Sequence, residues 1–144
     1  MPQSVRTIRQ GAFCKCESLR TVVLNEGLET LGTDEYPEKD KVWYGTFEES
    51  AVENIDLPSA LKRIECRAFR GCKNLKGFEF PAGLEKIGLY AFSESGLESA
   101  DFPASLRTIA QGAFSKCKSL RTAKFAEGLE VLGTTDYFRK GTDI

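Results

Sequence analysis

The stretch "LPSALKRIECRAFRGCKNLKGFEF", Leu57 to Phe80, decides the fold because the rest of the chain repeats its pattern. An Ala-Phe or Thr-Phe pair recurs along the 144 residues. The interval is about 22 to 23 residues, except for the first, which is longer by about 11. The repeated phenylalanines are Phe13, Phe47, Phe69, Phe92 and Phe114. Five or six similar units therefore fill the chain.

Each unit carries two apolar segments before its phenylalanine recurs. The first follows an L-x-x-L-x-L spacing, as in Leu75, Phe78 and Phe80, and this alternation predicts a strand with one buried face. Three of these strands are followed directly by a proline, namely Pro58, Pro81 and Pro103. A shorter apolar pair comes next, such as Leu61 and Ile64, and then the Ala-Phe step. That step is too short for more than about one or two helical turns.

A unit of this length cannot build a core, so it must bury its apolar face against the neighbouring units. We therefore predict an α/β repeat solenoid that is rich in β-structure. It has one parallel sheet on its concave face, with short helical or 3-10 turns and extended segments elsewhere. The five phenylalanines are expected to form a single buried column.

The repeated pattern resembles the BspA-like leucine-rich repeats of surface antigens, whose hallmark is L-P-x-x-L-x-x-I-x-x-x-A-F-x-x-C-x-x-L-x-x-I/F. Leu57 to Phe80 fits this hallmark almost throughout. The resemblance implies a leucine-rich repeat fold and a role in binding or adhesion. It also implies a location at the cell surface or outside the cell, although the first residues contain no signal peptide.

Composition excludes several classes of function. The 20 Lys and Arg nearly cancel the 21 Asp and Glu, which disfavours nucleic acid as a partner. No apolar run is long enough to span a membrane. The chain has no histidine, and its five cysteines include no C-x-x-C pair, so we expect no catalytic residue, no metal and no cofactor.

The cysteines follow a rhythm of their own. Three of them lie three residues after a repeated phenylalanine, namely Cys16, Cys72 and Cys117. The other two units carry Ser50 and Ser95 at that place and are one residue shorter, which indicates a pair-repeat of about 45 residues. The thiols either fill the turns as small apolar groups or serve a redox or metal role, for which Cys14 is the best candidate.

The outward side chains of the predicted sheet form the first candidate binding surface. Asp56, Glu79 and Asp101 are expected in a column with about 5 Å between strands. Stacked like charges favour a cationic or polyhydroxylated partner, whereas an ordinary solvated face would need no partner. The sheet-face candidates are Asn54, Asp56, Glu79, Asp101 and Lys124. Catalysis by these three carboxylates is disfavoured, because an open face gives none of them a reason to stay protonated.

An insertion at residues 33–44 is the second candidate. It carries Tyr36, Trp43 and Tyr44, and Trp43 is the one tryptophan of the chain. Aromatic side chains on a loop are common anchors for a partner, and they equally often fold back over the base of their own loop. Both interpretations stay open at this point.

We take residues 1–144 as a single domain and expect it to be a fragment of a longer array. Apolar end units then favour self-association. The leading functional hypothesis is a non-enzymatic module that binds a protein or a glycan. The alternative is a structural spacer or assembly segment without a ligand of its own.

Overall fold

The structure is a computed structural model that describes residues 2–33 and 43–133. Within these ranges there are ten short strands and no helix. The strands are β1 (Thr7–Ile8), β2 (Thr21–Val23), β3 (Thr30–Leu31), β4 (Asn54–Asp56), β5 (Arg63–Ile64), β6 (Lys86–Ile87), β7 (Ser99–Asp101), β8 (Thr108–Ile109), β9 (Thr122–Lys124) and β10 (Val131–Leu132).

Six of the strands form one parallel sheet, which we call the long sheet. Its order is β1-β3-β5-β6-β8-β10, so each unit adds its strand beside that of the unit before. Backbone hydrogen bonds also join the units just before each strand. For example, the Arg6 carbonyl accepts from the amides of Glu29 and Thr30 at 2.9 and 3.1 Å. The predicted parallel solenoid is therefore confirmed, and its continuous sheet is built from the shorter apolar pair.

The L-x-x-L-x-L segments form two separate parallel pairs, β2–β4 and β7–β9. The segment 76–80 of the middle unit lies between the pairs and is not a strand. Its Phe78 ring packs edge-on against Phe69 and Phe92, with centroids 5.3 and 4.8 Å apart. The equivalent positions of the other units carry the smaller side chains of Val22, Ile55, Ala100 and Ala123. The ladder is thus interrupted at the unit whose inward side chain is largest.

The five repeated phenylalanines stack in one column, as the sequence predicts. Successive ring centroids are 5.2, 5.3, 5.2 and 5.3 Å apart, and the ring planes differ by 9, 7, 11 and 2°. The rings of Phe47, Phe69 and Phe92 are fully buried. The spacing is close to the distance of about 4.8 Å between neighbouring strands. One phenylalanine from each unit therefore forms the centre of the core.

The Ala-Phe steps form hydrogen-bonded turns where the sequence predicts short helical turns. The second residue after each phenylalanine has a positive φ, which a right-handed helix does not allow. These residues are Lys15, Glu49, Gly71, Glu94 and Lys116, with φ of 54, 57, 71, 60 and 57°. Arg67 and Tyr90, two residues before their phenylalanines, are also left-handed, at 57 and 53°. Left-handed residues on both sides of the phenylalanine reverse the chain before a helix can form.

The buried column predicts a large stability loss for Phe69→Ala. The substitution removes a ring that stacks on both sides, and we expect the free energy of unfolding to fall by about 3–5 kcal/mol. Urea denaturation followed by circular dichroism measures this. The control is Phe125→Ala, whose ring is 52% exposed and should cost about 1 kcal/mol or less. Equal losses for the two variants would show that the column is not the centre of the core.

The left-handed turns predict opposite effects of two substitutions at Lys116. Glycine adopts a positive φ without strain, so Lys116→Gly should leave the free energy of unfolding unchanged or raise it by up to about 1 kcal/mol. A β-branched residue is strained there, so Lys116→Val should lower it by about 1–2 kcal/mol. Thermal unfolding measures both. The neighbouring Lys118, which has no positive φ, should tolerate valine far better; the same loss at both positions would refute the explanation.

Candidate functional site

The two strand pairs and the segment between them present the candidate residues of the sheet. We call their exposed side chains the strand-pair face. Asn54 and Asp56 lie on β4 and are exposed, as is Glu79 on the segment between the pairs. Asp101 on β7 is exposed and lies directly opposite Lys124 on β9. All five residues are therefore on the surface, but the expected acidic column has a cation facing its last member.

An exposed apolar side chain joins this face. Val23 on β2 lies opposite Asp56 in the parallel register, and its side chain is 67% exposed. An isolated apolar residue on a surface is common. Here Val23 lies beside the Asp56 carboxylate, and the pairing of β2 with β4 fixes the backbone of both residues. The face thus offers apolar, acidic and basic groups in a fixed order.

The aromatic residues of the insertion contact the body of the solenoid. Trp43 is half-buried and packs against Cys66, Leu89 and Ala110. The guanidinium carbon of Arg67 lies 5.8 Å from the centre of the Trp43 ring.

Tyr44 is also half-buried, and it is held by Lys15. The Nζ of Lys15 lies 4.5 Å from the centre of the Tyr44 ring and donates to its hydroxyl at 3.1 Å. This hydrogen bond is the main cause of a raised Lys15 pKa. Tyr36 lies outside the described residues. The two described aromatics are therefore fixed on the scaffold, and a role in partner binding stays a prediction for all three.

The thiols are part of the packing between units. The Cys72 thiol donates to the Phe47 carbonyl at 3.0 Å, and the Cys117 thiol donates to the Phe92 carbonyl at the same distance. Burial raises the pKa of Cys66 to about 12 and that of Cys72 to about 11. These geometries support the structural interpretation for the buried thiols. Among the described residues no group of three or more His, Cys, Asp or Glu is placed to hold a metal ion.

A buried carboxylate organises the turns of the middle units. Glu48 is fully buried and accepts hydrogen bonds from the Gly45 amide at 2.6 Å and from Arg70 at 2.8 Å. Arg67 forms a further, short ion pair with the same Glu48 oxygen. Arg70 also donates to Glu94 at 3.0 Å. The hydrogen bond that Arg70 donates to Glu48 is the main cause of a raised Arg70 pKa.

A second buried carboxylate lies at the end of the long sheet's third strand. Glu65 is 2% exposed, and its oxygens lie 2.9 Å from Lys86 Nζ and 3.6 Å from Arg63 Nε. Arg63 and Lys86 are partners in register on neighbouring strands. Glu65 therefore offsets the repulsion between two adjacent cations.

The exposed surface of the Ala-Phe turns, which we call the turn face, contains three contiguous cavities. One of about 440 Å³ lies over the short turn at Ser50 and Ala51, and one of about 650 Å³ over that at Ser95 and Gly96. Lys73, on the longer turn between them, lines both. The third, of about 300 Å³, shares residues with each of the other two. Sequence reasoning did not single out this face, although the alternation of long and short turns was the signal for it.

Charge alternates along the solenoid at two positions of the unit. The residue before each long-sheet strand alternates in sign in the order Arg6, Glu29, Lys62, Glu85, Arg107 and Glu130. The second residue of each L-x-x-L-x-L segment does the same in the order Arg20, Glu53, Lys76, Glu98 and Arg121. Arg20 and Glu53 form an ion pair at 3.3 Å. Reading one position through successive units would have revealed both rows, which place opposite charges on neighbouring units.

Comparison with known proteins gives a family and several solved relatives. A family model described as "BspA type Leucine rich repeat region" matches six copies, over residues 1–37 and 40–141. No curated protein matches the chain at a significant level. A leucine-rich repeat protein from Bacteroides ovatus is 26% identical, with a TM-score of 0.76 over 90% of this chain and 31% of the other.

Two further structures are similar. A leucine-rich repeat protein of T. pallidum is 30% identical, with a TM-score of 0.68 over 83% of this chain and 51% of the other. A leucine-rich cell surface protein from Faecalibacterium prausnitzii is 25% identical, with a TM-score of 0.67 over 96% of this chain and 33% of the other. The chain thus covers 31, 51 and 33% of the length of these three chains. In the part of the chain that the structure describes, no helix has the length and apolarity to cross a membrane.

The buried thiols predict a limited reaction with a labelling reagent. At pH 8 in the native protein, Cys66 and Cys72 should stay unmodified, because burial both hides them and raises their pKa to about 12 and about 11. The more accessible Cys14 should react first. Mass spectrometry of native and urea-unfolded samples counts the labels, and all five thiols should react after unfolding. Fast native labelling of Cys66 or Cys72 would contradict a structural role for these two.

Proposed function

Since the chain belongs to the BspA-type leucine-rich repeat family, we propose that it is a non-enzymatic module that binds a protein or a glycan. The observation that carries the proposal is the strand-pair face. Its exposed residues come from several successive units, and the stacked phenylalanines beneath fix the distance between these units. A ligand on this face meets several units at once, without any ordering of loops.

The proposed contact residues on this face are Asn54, Asp56, Glu79, Asp101 and Lys124, with Trp43 and Tyr44 as a separate aromatic contact. Lys124 beside Asp101 gives a partner groups of both signs. The exposed Val23 adds an apolar contact next to Asp56. This mixture suits a polar macromolecular surface better than a small molecule, which needs a deep and mainly apolar pocket.

We further propose a location at the cell surface or outside the cell. One structural relative is described as a cell surface protein, and the chain covers 33% of it. The proposal for this chain rests on that similarity and on the family.

The second candidate function is assembly, in which the chain joins or spaces other units and has no ligand of its own. Around the last described unit, Phe125 and Leu132 are 52 and 62% exposed beside an apolar cavity of about 320 Å³. Another repeat unit or a second copy that packs there would continue the apolar core. Self-association stays a prediction, which sedimentation at increasing concentration tests.

If the proposed surfaces bind the ligand, substitutions in them should weaken binding on arrays of glycans and extracellular-matrix proteins. The Asp56→Asn, Asp101→Asn double variant and the Trp43→Ala, Tyr44→Ala double variant should each weaken capture of the array ligand by about tenfold. Because Trp43 packs on the scaffold, Trp43→Phe serves as the variant that keeps the packing, and thermal unfolding checks each fold. A ligand bound equally by all variants would exclude these surfaces. No ligand on either array, together with concentration-dependent assembly, would favour the assembly function.

A further inference from the structure

We infer that the turn face is a second binding site, and that it takes an acidic linear polysaccharide with a sulfate or carboxylate group held between Arg67, Arg70 and Lys116. The inference rests on the proposed binding role, whose glycan alternative it makes specific. It uses a different face from the strand pairs. The two proposals can therefore fail separately.

The buried Glu48 preorganises two arginines at this site. One of its oxygens accepts from both Arg67 and Arg70 from below. The two guanidinium groups therefore keep their positions when no ligand is bound, and little side-chain entropy is lost on binding. Their side chains are 27 and 29% exposed, so part of each group faces solvent.

The arginines retain donors for an anion. Each guanidinium carries five N–H donors, and the ion pairs engage Nη2 of Arg67 and Nη1 and Nη2 of Arg70, so the part of each group that faces solvent keeps donors for a ligand. The cavity of about 300 Å³ beside them is lined by Arg67, Arg70, Tyr90, Ser93, Glu94, Ser115 and Lys116. Ser93 and Ser115 lie 2.9 Å apart, and their hydroxyls form a polar wall. Such a set of fixed cations and hydroxyls matches a sulfate or a carboxylate.

Glu94 at the edge of this cavity limits the density of charge that the site accepts. It is paired with Arg70 at 3.0 Å and also lines the two larger cavities. A nucleic acid carries about one charge per 1.7 Å of duplex and would place phosphates against this carboxylate. A polysaccharide with one or two anionic groups per disaccharide avoids it. The carboxylate therefore favours a polymer with well-separated charges.

The larger cavities extend the site along the solenoid. They occur at the two short turns, where Gly96 allows close packing: a Cβ there would overlap the Lys73 carbonyl. The short turns lie two units apart, which is about 10 Å at the spacing of neighbouring strands. This is about the length of one disaccharide in an extended chain. Equivalent groups of successive disaccharides can therefore enter the two cavities, with Lys73 between them.

The charge balance of the turn face supports an anionic ligand. The three cavities together are lined by six cations and three carboxylates, while the whole chain has a formal net charge of −1. The cations are Arg20, Arg67, Arg70, Lys73, Lys116 and Lys118. The lining thus has three more cations than carboxylates, and the buried Glu48 offsets one of these positive charges.

Tyr90 supplies an apolar surface for a sugar ring. It lines the smallest cavity and packs over the unit that follows, where a Cβ at Gly112 would overlap its ring. The absence of a side chain at Gly112 therefore makes room for the aromatic ring at the site. A sugar ring stacked there would be held beside the arginines that bind its acidic group.

The test measures binding of a chondroitin sulfate decasaccharide, which carries one sulfate and one carboxylate per disaccharide, by calorimetry at low and physiological salt. The parent protein should bind, and the Lys73→Gln, Lys116→Asn, Lys118→Gln variant should bind about tenfold more weakly. These lysines are exposed and support no buried carboxylate, so the variant should fold. A matched triple, Arg9→Gln, Lys62→Gln, Lys76→Gln, changes the net charge equally away from the cavities and should bind within about twofold of the parent.

The other outcomes separate the explanations. Equal weakening by the two triples would show an effect of net charge alone and would overturn the site. If single-stranded DNA or inorganic sulfate binds as tightly as the decasaccharide, the inference that the ligand is a polysaccharide is wrong. If neither chondroitin sulfate nor polygalacturonate binds while an array ligand depends on Asp56 and Asp101, the turn-face inference is wrong and the proposed function stands.

Discussion

The stacking of one phenylalanine per unit is the constraint on which the structure depends. Rings 5.2 to 5.3 Å apart can follow each other only if the backbones of successive units keep nearly the same spacing. That spacing is close to the distance between hydrogen-bonded strands, so the ring column and the long sheet support each other. Each aromatic pair contributes about 0.5–1.5 kcal/mol beyond the burial of its area, and the contribution repeats with every unit.

The same constraint explains the turns. In each unit the backbone must leave the long sheet, place the phenylalanine in the column and turn toward the next segment within a few residues. Left-handed residues such as Arg67 and Glu94 make this possible without glycine, at a cost of about 1–2 kcal/mol each. Where a unit is one residue shorter, the surface is recessed, as at Ser50 and Ser95. The two larger cavities of the turn face are therefore a direct result of turn length.

Charges follow the same stacking rule. Any side chain of one unit lies beside its equivalent in the next, so a sequence with the same charge in every unit would repel itself along the whole row. Alternation, as in Arg20 and Glu53, turns this repulsion into pairing. Where like charges do meet, as at Arg63 and Lys86, a buried Glu65 lies between them. The buried Glu48 likewise pairs with both Arg67 and Arg70 and so offsets their mutual repulsion, while part of each guanidinium stays at the surface.

The sequence by itself determined the repeat, the family resemblance, the parallel direction and the phenylalanine column, because these depend on spacing along the chain. It also placed Asn54, Asp56, Glu79, Asp101 and Lys124 on the surface, since alternation in a strand sends every second side chain outward. Only the tertiary structure decided which apolar segment forms the continuous sheet, because a ladder depends on both neighbours and stops beside Phe78. It alone joined Glu48 to Arg67 and Arg70, which lie 19 and 22 residues away, because residues one unit apart become neighbours only when the units stack.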